Sequence, residues 1–295
     1  MTAPPAPDAR IHDIGYRRYE GERLGAMYAR CSLFVHSLRG AYGLGRSARS
    51  KMLPIGLFVI MCAPAVVMVA VVMTTGRDEL PIEYTAYGVF MQPIFGLYLA
   101  LAAPQMVSLD LRYKTIPLYF SRPIERGDYV IAKFASLTAS LFLFVGIPLL
   151  ISYVGSLLAK LDFADQTTAF ARGLVATAVF AVLHAAIGLL IASMTPRRGF
   201  GVAAIISVLT IPYFAVISLM VVADEQGSPD AVGWIGLFSP GSLLEGFQAK
   251  FLGGELEFPG DQMLTNAAGA AYVVVIAAII ALCYFLLTRR YRKAG

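Results

Sequence analysis

The sequence predicts an all-α integral membrane protein with six transmembrane helices, and three observations carry that prediction. The 295-residue chain is 58% hydrophobic and 15% charged, where soluble domains average about 25% charged. Its mean hydropathy is +0.68. Six stretches, 53–75, 87–109, 130–158, 174–194, 200–223 and 267–288, each reach the roughly 20 mostly apolar residues a helix needs to cross a bilayer. The basic residues are also partitioned. Of 24 Lys and Arg, all but Arg77, Lys160, Arg172 and Lys250 lie before the first stretch, between the second and third or at their edges, after the fourth, and after the sixth. The three remaining connections hold the larger share of the 19 acidic residues, among them Asp78, Glu79, Asp224, Glu225, Glu255 and Glu257. Lys and Arg collect on the cytoplasmic side of a membrane, and an even number of crossings returns both ends there. The reading is therefore a multi-pass protein with cytoplasmic N- and C-termini. The excess of Arg over Lys and the abundant Ala suit a GC-rich bacterial genome, hence the inner (cytoplasmic) membrane. The net charge of +5 then expresses topology and gives no ground for a nucleic-acid partner.

Taken in order, residues 1–19 read as a flexible tail, with Pro4, Pro5 and Pro7 near its start. The polar opening MTAPPAPDAR has no apolar core of a cleavable signal. Residues 20–295 then read as one domain of six spans. In 20–45, Leu24, Met27, Tyr28, Cys31, Phe34, Val35 and Leu38 recur at helical spacing, with Arg23, Arg30 and His36 on the flanks and back. Too polar to span, this segment fits an amphipathic helix lying in the membrane interface among lipids. The same pattern also fits a helix packed on another cytoplasmic element. Gly43, Gly45 and Ser47 break it before the first span.

The connection 110–129, DLRYKTIPLYFSRPIERGDY, is mixed in character. Leu111, Ile116 and Leu118 share one side of a short helix whose length Pro117 and Pro123 limit. Asp128 is placed to cap the helix of the third span, which is long enough to tilt or to end in an interfacial turn. The turn 195–199 joins the fourth and fifth spans too tightly to hold a domain. The segment 224–266 is the longest outer connection. Its apolar part, 234–251, is broken by Pro240, Gly241 and Gly246, so it predicts short re-entrant or interfacial helices rather than a seventh span. Trp234, Phe238 and Phe247 suit a membrane boundary.

The chemistry that is missing narrows the function. Cys31, Cys62 and Cys283 form neither a disulfide framework nor a metal-binding spacing. His184 is the only ionisable group well inside a span, and a neutral His bonded to a neighbouring helix explains it as well as a proton relay does. No acid pair, His cluster or nucleophile with its base occurs at membrane depth. No GxxxxGK[ST] loop occurs; GRSARSK at 45–51 lacks the second Gly before its Lys. The chain therefore reads as no enzyme and as carrying no cofactor of its own. If the protein moves anything uphill, the energy must come from another chain.

Asp110, Leu111 and Arg112, then Thr115 to Leu118, then Ser121-Arg122-Pro123-Ile124, Arg126, Tyr129 and Lys133 resemble the permeases of type-2 ABC transporters, the ABC-2 exporter family. Members commonly carry an acidic-basic start, a GTL-like stretch, an S-x-P-[IV]-x-R core, and a Tyr or Glu before the next span's Lys. Here Lys114-Thr115-Ile116 replaces the GTL-like part. Phe238-Ser239-Pro240 resembles the family's outer SP segment, and the plan of interfacial helix, six spans, coupling segment and broken outer segment is similar throughout. The resemblance implies an ATP-driven exporter: two permease chains, like or unlike, with two separate ATPase subunits that hold ATP and Mg. It implies an ATPase-coupling role for Arg112, Leu118, Ser121, Arg122, Pro123, Ile124, Arg126 and Asp128 in a short cytoplasmic coupling helix between spans two and three. It also implies that the second and fifth spans line the dimer centre, where Gln92, Tyr98, Gln105, Ser207, Thr210, Tyr213 and Ser218 are the candidate substrate-path residues. The scarcity of charge in the spans points to a hydrophobic or amphipathic cargo. Two other readings remain: a six-span scaffold or sensor for a cytoplasmic partner, and a secondary carrier, which the lack of membrane charge disfavours.

Overall fold

The computed structural model describes residues 15, 21, 24–45, 47–115, 118–119, 124–195, 197–254, 256, 258–260 and 264–293. All regular structure among them is helical: α1 (Ala26–Ala41), α2 (Ala48–Thr75), α3 (Tyr87–Phe90), α4 (Gln92–Met106), α5 (Ser108–Arg112), α6 (Arg126–Leu158), α7 (Phe163–Met194), α8 (Arg198–Glu225), α9 (Pro229–Ile235), α10 (Pro240–Leu252) and α11 (Asn266–Lys293), with a 3₁₀ turn at Gly236–Phe238. Six helices are long and apolar enough to span: α2, α4 continued by α5, α6, α7, α8 and α11. The protein is a six-span transmembrane bundle.

The observed boundaries differ from the hydropathy windows where local chemistry extends or breaks a helix. The fourth span begins at Phe163 rather than 174, because Asp162 caps it, its Oδ1 accepting from the amides of Ala164 and Asp165 at 2.9 Å. The third begins at Arg126, capped by a reciprocal pair. Glu125 is the N-cap and Asp128 sits at the third helical position, so Asp128 supports the cap without being the N-cap itself. The second span is three pieces, α3, α4 and α5, divided at Met91 and Val107. Pro93 opens α4 where a missing amide costs nothing, whereas Pro104 removes an interior hydrogen bond near its other end.

Two α-helices end on a lysine in the left-handed region: Lys114 at φ 50° and Lys160 at φ 64°. Each closes the same double cap. Thr115 N–H donates to Asp110 C=O and Lys114 N–H to Leu111 C=O, while Leu161 N–H donates to Ser156 C=O and Lys160 N–H to Leu157 C=O. Gly43 and Gly45, both with positive φ, carry the turn between α1 and α2 that the sequence anticipates.

The main core gathers Phe95, Leu99, Leu141, Phe144, Phe180, Leu183 and Leu189 from α4, α6 and α7. The second and fourth spans are the most enclosed, and the first, fifth and sixth lie mostly at the surface. Gly155 lets α2 cross α6 closely: a Cβ there would drive into the Val69 side chain. At the end of the bundle rich in basic residues, α1 packs Leu33, Ser37 and Ala41 inward while Met27, Tyr28 and Val35 stay exposed. Ser136 donates to Phe34 C=O at 3.0 Å, Tyr42 to Ser140 C=O at 2.8 Å, and Gln105 to Gly40 C=O at 2.5 Å. Burial pushes the Tyr42 hydroxyl above the ordinary tyrosine range, with its contacts to Tyr98 and Ser140 opposing, so it remains a donor. At the acidic end, α9, the 3₁₀ turn and α10 pack on α8 and α11 in a second apolar cluster that includes Val216, Met220, Leu243, Phe258 and Tyr272. The 13 residues of α10 cover about 20 Å, short of the ~30 Å a crossing requires.

Candidate functional site

Two features could bear function: a polar joint at the basic end and an apolar cleft between the second and fifth spans. The joint is built where the foot of the second span meets the start of the third. Tyr129 and Lys133, one turn apart on α6, face α5 together. Lys133 is only 4% exposed. Its Nζ lies 2.9 Å from Asp110 Oδ2 and donates to Met106 C=O at 2.8 Å. Tyr129 donates its hydroxyl to the same Asp110 oxygen at 2.7 Å, and Thr115 donates to Oδ1 at 3.3 Å. The Tyr129 and Tyr119 rings stand 5.3 and 5.9 Å from the ammonium, and Tyr291 of α11 packs on Tyr129 at 5.1 Å. A buried ammonium requires such a set of acceptors.

The joint is tied to its surroundings at the surface. Arg30 of α1 pairs with Asp128 at 2.9 Å, and Arg126 donates to Arg292 C=O at 3.1 Å. One end of the bundle therefore joins α1, α5, the start of α6 and the end of α11.

The predicted coupling residues divide around this joint. Arg112 and Arg126 are exposed, as is Leu118 at 69%, and the Arg112 guanidinium stacks 5.7 Å from the Tyr113 ring. Ile124 is buried in the main core and Asp128 is held by Arg30. Ser121, Arg122 and Pro123 lie outside the described residues. In the sequence, Asp110, Tyr129 and Lys133 stand as motif positions with no role of their own. Their one signal was the pairing of a lysine and a carboxylate at opposite edges of one connection.

The cleft, about 630 Å³, is lined by α3, α4 and α8: apolar Phe90, Leu97, Ile206 and Phe214, with Gln92, Thr210 and Tyr213 among them. Tyr213 donates to Glu245 Oε1 of α10 at 3.0 Å. Gln92 and Tyr213 both pack on Gly241, where a Cβ would meet the Gln92 amide and the Tyr213 ring. Glu245, 6% exposed, is a buried carboxylate that hydropathy alone does not separate from the surface acids around it.

Of the seven predicted path residues the cleft brings together three: Gln92, Thr210 and Tyr213. Tyr98 is buried elsewhere, hydrogen-bonded to Ser140 Oγ at 2.5 Å and stacked on Phe144 at 4.1 Å. Gln105 faces α1. Ser207 is exposed on α8 outside the cleft lining, and Ser218 is exposed and bonded to its own helix at Phe214 C=O. His184 is fully buried between Phe95 and Phe180. Its Nδ1 lies 2.9 Å from Phe180 C=O of its own helix, not a neighbouring one, and its Nε2 has no hydrogen-bond partner among the described residues.

Comparison with known proteins adds one finding. A family model described as ABC-2 family transporter protein matches residues 59–292, from within α2 to the end of α11. No curated protein matches the chain.

Proposed function

The chain belongs to the ABC-2 transporter family, and from that premise we propose that it is the permease subunit of an ABC exporter, working with a second permease chain and two separate ATPase subunits. The family domain is a membrane domain rather than a nucleotide-binding one, so ATP and Mg belong on the ATPase partners. In this reading the basic end faces the cytoplasm of a bacterium, with both termini there, and α9 and α10 form an outer, partly re-entrant cap. The exposed side of α1 lies in the inner-leaflet interface.

The observation that carries the reading is the joint. A short connection that offers exposed Arg112, Leu118 and Arg126 is fastened from behind by Asp110, Tyr129 and Lys133 to two spans at once. A push on such a connection is delivered to the bundle rather than lost in a loop. The proposed coupling role extends to Ser121, Arg122 and Pro123, while Ile124 and Asp128 hold the connection from the bundle side. The cleft at Gln92, Thr210 and Tyr213 is the cargo path, and its mainly apolar lining suits a hydrophobic or amphipathic molecule.

The test is co-purification from native membranes. The chain brings down an ABC ATPase that turns over ATP, and the paired substitution Arg122→Ala with Pro123→Ala loses it. A chain that purifies with a cytoplasmic partner lacking ATPase activity supports the scaffold reading instead.

A further inference from the structure

We propose that the step at Val107 is a hinge in the second span and that Lys133 is the clamp that holds it shut. The proposal rests on the permease reading above. Val107, at φ −123° and ψ −46°, departs from the helical φ of about −63°, and it separates α4 from α5. Pro104, three residues earlier, has already removed one rung of the helical ladder. The second span is thus weakened twice within one turn, directly above the connection to the third span.

Lys133 bridges that step. Its one ammonium takes the carbonyl of Met106, the last residue of α4, and the carboxylate of Asp110 in α5. Each side of the break is therefore fixed to α6 by the same nitrogen. Tyr129 adds a second bond from α6 to the Asp110 carboxylate, and Ser108 of α5 donates to Ala192 C=O at the end of α7 at 2.8 Å. A buried ion pair contributes little net stability beside an apolar pair of similar size, so folding alone gives no need for charge here. What the pair does is make the lower segment of the second span, the connection beyond it and the third span move as one body. Lys133 is a positioning residue, and it acts through Asp110 and Met106.

The test uses the paired variant Lys133→Met with Asp110→Asn, which leaves neither charge stranded, in a chain whose Cys31, Cys62 and Cys283 are replaced by Ala. Spin labels go at Tyr113→Cys, on the connection, and Leu158→Cys, at the far end of the third span. The native residues are 66% and 69% exposed. With the ATPase partner bound and nucleotide trapped, the clamped chain keeps the distance between the labels nearly constant. In the paired variant, trapping shifts or broadens that distance, because the connection now moves at Val107 without the third span. A variant whose distance responds to nucleotide as the parent does overturns the proposal, since a merely structural pair leaves this readout unmoved.

A second arm needs no partner. Amide hydrogen exchange over 107–115 in the purified chain is expected to rise by about tenfold in the paired variant, while the melting temperature moves little. Unchanged exchange overturns the clamp. If no ATPase accompanies the parent chain, the permease reading fails, and this second arm still decides the hinge.

Discussion

At the scale of single residues, the polar groups in the bundle sort by what they bond. His184, the one residue the sequence marks as a possible proton carrier, sits between two rings with a single carbonyl neighbour, so a relay has no next station among the described residues. His184→Leu is accordingly expected to change stability by only about 1 kcal/mol, because both the hydrogen bond and the buried unsatisfied nitrogen disappear together. Chemical unfolding in detergent measures it. Lys160 illustrates a different cost. Its left-handed backbone, φ 64°, is one that glycine adopts freely and other residues adopt at about 1–2 kcal/mol. Lys160→Gly is therefore expected to stabilise the protein by about 1 kcal/mol, read as a rise in melting temperature. Neither lysine in that conformation is recognisable from sequence, since helix ends of this kind are ordinarily announced by glycine. Lys133 was visible as a residue, but not as a buried one. Its position at the edge of an apolar run is where positive-inside lysines also stand, and only the placement of Met106 and Asp110 distinguishes the two cases.

At the scale of elements, the hydrophobic runs located all six spans because the bilayer sets their length and composition. Their ends were less legible, because the first turn of a span is polar and looks like a loop. Asp162 carries the missing signal for the fourth span, an N-cap residue twelve positions before the apolar window opens. Asp162→Ala is expected to cost about 1 kcal/mol and to fray the first turn of α7, which hydrogen exchange at 163–168 would show. The crossing of α2 on α6 depends on Gly155, and Gly155→Ala would force Val69 aside. A loss of about 1–3 kcal/mol is expected from such overpacking, and a thermal melt no lower than the parent's would contradict the close approach. The break of the second span into three helices was not read from sequence. Pro93 and Pro104 stand in that stretch, yet a proline near a helix start is harmless and one in a membrane helix is tolerated when neighbours take up the freed groups.

At the scale of the whole molecule, charge and packing divide the labour. The basic end carries the joint and the exposed connection, the acidic end carries the short helices α9 and α10, and the enclosed second and fourth spans join them. The proposed topology, with the basic end cytoplasmic, rests on the same partition and can be tested. A cysteine placed at Lys160 is expected to react with a membrane-impermeant thiol reagent on intact cells, and one at Tyr113 only after permeabilisation. The seven path candidates came from two spans taken as wholes, and only Gln92, Thr210 and Tyr213 share the cleft; which face of a helix turns inward depends on neighbours that one sequence does not place. The claim on which the rest depends is that the connection after the second span meets a separate ATPase. A photo-crosslinking amino acid at Leu118 tests it most directly, with one at Leu158, at the opposite end of the bundle, as the control. An adduct between Leu118 and an ABC ATPase, with none from Leu158, is the expected result; an ATPase adduct at Leu158, or none at Leu118, would rule that contact out.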